Sequence, residues 1–217
     1  MNRLSPDEYM REVVKTESNR FDEIGARMSR VKYIRLLHAA MGISTELTEL
    51  FEALDKNQLD RVNFAEECGD IYYYIGLVCD EQELVIEDLF VEADQLSRHR
   101  NEYFLTKLRS KLIPKIMLKE LTVLTTIHSG NILDIMKKTI FYGDQKFSSE
   151  KIESELVQII AALNQMLAIL GYEVERVLAI NIEKLQMKRY KNKSFSSQEA
   201  INRDLVSERD SLEKIKD

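Results

Sequence analysis

The chain is predicted to be all-α, on three observations. Its 217 residues include only 7 Gly and 2 Pro, too little punctuation for the many turns of a strand-rich fold. Leu, Glu, Lys, Ile and Ala abound, a composition that favours helices. Apolar residues recur at three- and four-residue spacing along most of the length. A hydrophobic content of 44% on this length supports one large domain or two small ones with a sizeable core. The net charge of −6 is spread along the chain, which argues against a basic nucleic-acid face and against an acidic tail. No apolar run approaches the ~18 residues of a membrane span, and MNRLSPDEYMREV lacks the basic-then-apolar pattern of a signal peptide. A soluble cytoplasmic protein is the expectation, with neither nucleic acid nor membrane as a partner.

The helices follow in order. Ser5, Pro6 at the first helical position and Glu8 three residues after the Ser form a capping box that starts a helix through about Glu17. A second is expected from about Ser29 to Ala40, and a third over GISTELTELFEAL, with Ile43, Leu47, Leu50, Phe51 and Leu54 as its apolar stripe. After the polar turn DKNQLDR, a fourth spans about Val62 to Glu81 and a fifth about Leu84 to Tyr103. Cys68 and Cys79 fall three turns apart on the fourth helix, too far for a disulfide. They read as free buried thiols, with no further ligands nearby for zinc.

Beyond Pro114 the plan starts again. IHSGNILDIMKKTIF echoes GISTELTELFEAL, setting Asn131 against Glu46, Asp134 against Glu49, Ile135 against Leu50 and Met136 against Phe51. Three extra residues in the turn then set Glu155 against Glu67 and Gln158 against Asp70, and KLQMKRYKN falls against QLSRHRNEY. The order of these matches and their similar loop lengths indicate an internal repeat. Two similar units of four to five helices, roughly 20–108 and 109–195 within halves 1–108 and 109–217, are expected to pack as an internal pseudo-dimer.

The acids ask for an explanation. Glu46 and Glu49 are three apart on one helix, Glu67 and Asp70 three apart on the next, so each pair lies side by side. An antiparallel hairpin across DKNQLDR brings all four to one level. Two unit charges ~5 Å apart at an effective dielectric of ~20 repel by about 3 kcal/mol, so four in one volume cost as much as a domain's stability. Neither helix has Lys or Arg at helical spacing to neutralise them. Hard divalent cations take all-oxygen ligation, so Mg²⁺ is the natural occupant, with Mn²⁺ as substitute. The spacing alone leaves a solvated acidic flank open as the other reading. A di-iron site wants Glu-x-x-His, and no His stands three residues after a Glu in this chain.

The ELTE and EECGD pairs resemble the ExxE, spacer, ExxD signature of the MazG-like all-α nucleoside triphosphate pyrophosphohydrolases, a superfamily that also includes the dimeric dUTPases. LLHAAMGISTELTELFEAL and NFAEECGDIYYYIGL look like its two core helices, DEYMREVVKT is similar to the segment that often precedes them, and NIEKLQMKRYKNKSFSSQEAINRDLVSERDSLE resembles the tail of small phage and bacterial members. The second unit departs from the pattern, with Asn131 and Gln158 in place of two acids, yet it keeps KKTIFYG and KLQMKRY. One composite site is the expectation: metal carboxylates from the first unit and substrate-binding side chains from the second.

The resemblance implies Mg²⁺-dependent hydrolysis of a nucleoside triphosphate to the monophosphate and pyrophosphate. It implies Glu46, Glu49, Glu67 and Asp70 as metal ligands, one of them available as general base. Lys184, Arg189 and Lys138 are expected to hold phosphates, with Asn181, Tyr190, Asn202 and Arg203 as further substrate contacts carried over from the tail. His38 is read as a core residue or a base contact, and Tyr72, Tyr73 and Tyr74 as packing between helices, one of them available to a nucleobase pocket. His99 and His128 attract no role. The rival functions are a dUTPase-like hydrolase of dUTP or dUDP, a catalytically inactive nucleotide-binding module, and a helical interaction protein. A monomer with an internal pseudo-dimer and a homodimer both fit the repeat.

Overall fold

Nine α-helices and one π-helical turn make up the described residues, with no strand among them. The computed structural model describes residues 4–55, 58–105, 113–144, 147–190, 194–202, 208 and 212–213, with side chains at 99–105, 113 and 188 excepted. The elements are α1 (Pro6–Lys15), α2 (Phe21–Met28), α3 (Val31–Asp55), α4 (Arg61–Gln82), α5 (Ile86–Leu105), α6 (Ile113–Phe141), α7 (Ser149–Leu170), α8 (Val174–Glu183), the π turn (Lys184–Arg189) and α9 (Ser197–Ile201).

The capping box forms as expected. Glu8 N–H donates to Ser5 Oγ at 3.2 Å, and Ser5 N–H donates to Glu8 Oε2 at 2.8 Å. Asp60, Ser148 and Ser196 cap α4, α7 and α9 in the same way with side-chain oxygens. Pro114 sits in the first turn of α6, where its missing N–H costs nothing.

Two boundaries differ from those expected. The second and third helices are one continuous helix, α3, because Gly42 is a contact and not a break. A Cβ there would lie 2.3 Å from the Tyr74 ring of α4, so the residue that lowers helix propensity is what lets the two helices close. The short α2 falls in a stretch for which the sequence predicts no helix, since it has eight residues and no side-chain cap. Its place is fixed by tertiary contact instead: Arg27 Nε donates to the Ile140 carbonyl at 2.5 Å, at the end of α6.

The core is built around α3, α4, α6 and α7. α3 packs on α4 and on α6, and α6 packs on α7. The two later helices cross over: α5 of the first half lies on α7, and α8 of the second half lies on α4. One apolar cluster therefore takes residues from both halves, among them Leu47, Leu50, Phe64, Ile71, Leu118, Met136, Ile160 and Leu163. At the α3/α6 contact, Ser44 and Ser129 hydrogen-bond through their hydroxyls at 2.9 Å. These two residues are equivalent in the repeat alignment that sets Glu46 against Asn131.

α7 corrects the expectation that no segment reaches span length. By length and composition it could cross a bilayer, yet 61% of its apolar window is buried inside this bundle. It owes that character to its central position, with α4, α5 and α6 all packed against it.

Adding a methyl at Gly42 forces the Tyr74 ring away. Gly42→Ala is expected to destabilise by about 1–3 kcal/mol, as overpacking does. Gly130→Ala on α6, where a Cβ would meet nothing within 4 Å, is expected to stabilise by roughly 0.5–1 kcal/mol. Denaturant titration of the two variants beside wild type measures both signs.

Candidate functional site

The α3/α4 hairpin, the π turn and residues that follow it wall a cavity of about 500 Å³. α3 contributes Glu46 and Glu49, and α4 contributes Glu66, Glu67 and Asp70. One carboxylate oxygen each from Glu46, Glu49 and Glu67 lies within 4.8 Å of the others. At that separation a pair of full charges repels by about 3 kcal/mol for an effective dielectric of ~20, so the trio does not stay fully ionised without a cation. Glu67 is pushed up to about 10, first by burial and then by the charges of Glu66, Glu49, Asp70 and Glu46. Glu46 is pushed up to about 7, again by burial first, then by Asp70 and Glu49, while a hydrogen bond with Glu67 opposes the rise.

Asp70 is held differently. Its Oδ1 accepts from Asn181 Nδ2 at 2.5 Å and from Lys184 Nζ at 2.7 Å, and its Oδ2 accepts from the same Nζ at 2.7 Å. Lys184 also donates to Glu66 Oε1 at 3.1 Å, and its side chain is 0% exposed. Gly69 makes this approach possible, since a Cβ there would lie 3.1 Å from Asn181 Nδ2. Thus Lys184 and Asn181 do meet the acids of the first half from more than a hundred residues away, but as partners of Asp70.

The π turn sets the next contact. In a regular helix, residues five apart point about 140° away from each other. The i→i+5 pattern brings them toward one face, and Tyr190 N–H donates to the Leu185 carbonyl at 2.8 Å in that register. Lys184 and Arg189 consequently both turn toward the acids. Arg189 lines the cavity and is paired with Glu208, Nη2 to Oε2 at 2.8 Å and Nε to Oε1 at 3.3 Å. Burial works against its charge, yet Glu208 more than offsets this and the guanidinium sits above its ordinary value.

The far wall is aromatic. His38 meets the edge of Tyr74 with ring centroids 5.6 Å apart, Tyr73 packs on Tyr74 at 5.2 Å, and Tyr190 packs on Phe195 at 5.6 Å. His38, Tyr73, Tyr74, Tyr190 and Phe195 all line the cavity. Tyr72, by contrast, points into the core, where its hydroxyl donates to Asn164.

Of the residues named from sequence, the cavity or its immediate partners include Glu46, Glu49, Glu67, Asp70, Asn181, Lys184, Arg189, Tyr190 and His38. Lys138 is not brought there: it pairs with Asp134 at 2.5 Å on α6. Asn202 is exposed and outside the lining, and Arg203 lies outside the described residues. Sequence reasoning missed Asn63, whose Nδ2 donates to Glu67 Oε1 at 3.1 Å, and Glu66 and Glu208. Asn63 lies four before Glu67, a helical spacing that could have revealed it.

The matching region of the second half carries no such excess charge. Glu155 Oε2 contacts His128 Nδ1 at 2.6 Å and accepts from Asn131 Nδ2 at 3.1 Å. Asp134 is lowered from its ordinary value by hydrogen bonds from Lys137 and Lys138. No family model matches this chain, and neither does a curated protein or a solved structure.

A carboxyl raised in the folded state favours folding while it is protonated. For Glu46, that contribution is complete below the ordinary value of 4.5 and is lost as the pH rises through about 7. Without divalent cation, the melting temperature is therefore expected to fall between about pH 5 and pH 8. Mg²⁺ or Mn²⁺ should recover most of the loss at the upper end, and Glu46→Gln should flatten the slope. Thermal melts across pH with and without the ion test this, and a slope unchanged by Glu46→Gln would contradict it.

Proposed function

We propose that the protein is a Mg²⁺-dependent nucleoside triphosphate pyrophosphohydrolase, cutting a nucleotide to its monophosphate and pyrophosphate. The observation that carries this reading is the trio Glu46, Glu49 and Glu67, three buried or cavity-facing carboxylates short of positive charge. All-oxygen donors in that number fit a hard divalent ion, and Glu46, Glu49 and Glu67 would hold it. When bound, Mg²⁺ supplies charge neutralisation for a polyphosphate and lowers the pKa of the water that attacks the α-phosphorus.

The chain's own groups divide the remaining work. Asn63 fixes the Glu67 carboxyl through Oε1. Glu49, the most open of the trio, would take a proton from water. Arg189 presents a guanidinium to the same space, suited to phosphate oxygens. His38, Tyr73, Tyr74, Tyr190 and Phe195 offer flat faces and edges to a nucleobase.

The resemblance of ELTE, EECGD and the C-terminal segment to MazG-like enzymes supports the same reading. So does the reciprocal packing of α5 on α7 and α8 on α4, with equivalent Ser44 and Ser129 in contact. These are what a duplicated unit folded on its own two-fold would give, with one site kept and the other lost. On this reading the chain is its own pseudo-dimer and works in the cytoplasm on free nucleotides.

Incubating the protein with Mg²⁺ and a panel of ribo- and deoxynucleoside triphosphates, dUTP and dUDP included, is expected to yield monophosphate plus pyrophosphate from at least one triphosphate. Glu49→Gln should lower that turnover by at least about 100-fold, the upper end of what outer-shell losses cost, while Glu155→Gln should leave it intact. Release of orthophosphate, or no turnover of any nucleotide, would refute the proposal.

A further inference from the structure

We propose that Lys184 is a positioning residue that withdraws Asp70 from the cation site, so that the ion is held by three carboxylates and the substrate phosphates are met by Arg189 and not by Lys184. The inference rests on the functional reading above, and the geometry around Nζ carries it.

An ammonium has three N–H donors. Those of Lys184 face three oxygens, Asp70 Oδ1 and Oδ2 at 2.7 Å and Glu66 Oε1 at 3.1 Å. The side chain is 0% exposed and is not part of the cavity lining. A phosphate would have to enter the protein interior and displace a two-oxygen contact to reach it. Asp70, in turn, has both oxygens engaged by Lys184 and a second donor on Oδ1 from Asn181. A divalent ion drawing on Asp70 would have to approach a carboxylate already facing a buried cation 2.7 Å away. Glu46, Glu49 and Glu67 have no cationic partner at that distance among the described residues, and their oxygens cluster without Asp70.

Arg189 has the opposite character. Five donors are available on a guanidinium, and Glu208 engages Nε and Nη2. Donors on Nη1 remain, and the side chain lines the cavity. The π turn explains how one short segment does both jobs. Five positions apart, the two cations would diverge on an α-helix, whereas the i→i+5 register turns both toward α4. Lys184 therefore fixes where α8 sits on α4, and Arg189, one π turn later, faces the ligand.

The test measures binding alone. Mn²⁺ titrated into the metal-free protein is followed by its paramagnetic resonance signal, and inorganic triphosphate with Mg²⁺ by calorimetry. Lys184→Met frees Asp70 and is expected to bind Mn²⁺ at least about tenfold tighter, or to take up a second ion, without weakening triphosphate binding. The double variant Asp70→Asn with Lys184→Met, which removes one charge of each sign, is expected to bind Mn²⁺ within about threefold of wild type. If Lys184→Met leaves Mn²⁺ binding unchanged the proposal is wrong, and if it weakens triphosphate binding Lys184 is a phosphate anchor and the proposal is wrong as well. It is equally wrong if the double variant loses more than about tenfold in Mn²⁺ affinity, because Asp70 is then a ligand. Should Lys184→Met fail to fold, the double variant decides by that same criterion. Turnover enters neither measurement: the expected affinities in a protein that hydrolyses no nucleotide would refute the activity and leave the role of Lys184 standing.

Discussion

The contact on which the site depends is the buried pair of Lys184 and Asp70. Taking an ammonium to 0% exposure is costly, and the cost is offset only when the ion's donors are all met by nearby oxygens. Here they are met, by Asp70 and Glu66, and Asn181 adds a further donor to the same carboxylate. The pair ties α8 to α4 at one register, because a slip of one residue would bury an unpaired charge. The positions of Arg189, Tyr190 and Phe195 follow from that register, since they lie within or shortly after the π turn that begins at Lys184. A π turn is a poorer way to satisfy backbone groups than a regular helix, and such turns gather at functional sites. This one is retained where two cations five residues apart must share a face.

The rest of the architecture holds the acids at a distance they would not choose. Side chains of Leu47, Leu50, Phe64, Ile71 and Ile75 lie at or near zero exposure and fix α3 against α4. Gly42 beneath the Tyr74 ring lets those helices come close. Glu46, Glu49 and Glu67 are then carried into one small volume by the packing of that core. The raised pKa values of Glu46 and Glu67 report that imposed proximity together with burial. In the second half, His128 and Asn131 engage Glu155 and two lysines engage Asp134. Those acids have partners at hydrogen-bonding distance, whereas Glu46, Glu49 and Glu67 have no cation at that distance among the described residues.

Much of the frame was legible in the sequence. The Ser5, Pro6, Glu8 start forms the capping box it predicts, and α4 and α5 fall within two residues of their expected bounds. Glu46, Glu49 and Glu67 were identifiable because their spacing places them on one face of each helix. The helix break expected near Gly42 was wrong because propensity says nothing of the ring packed against it. α2 was unreadable for a related reason: Arg27 on the α6 carbonyls, and not a local cap, holds it in place. Lys138 looked like a cation of the site, but α6 turns it toward Asp134 on its own face.

Sequence by itself determined the all-helical class, the places of α1, α4 and α5 and the pairing of acids on adjacent helices, because these depend on residues three and four apart, which touch in any helix. Tertiary structure alone decided which half each later helix packs on, and therefore which cations the acids meet. Lys184 and Asp70 are 114 residues apart, and nothing local to either one specifies the other. Only the crossover of α8 onto α4, and the π turn that follows it, sets an ammonium against that carboxylate and brings Arg189 to the cavity that the acids line.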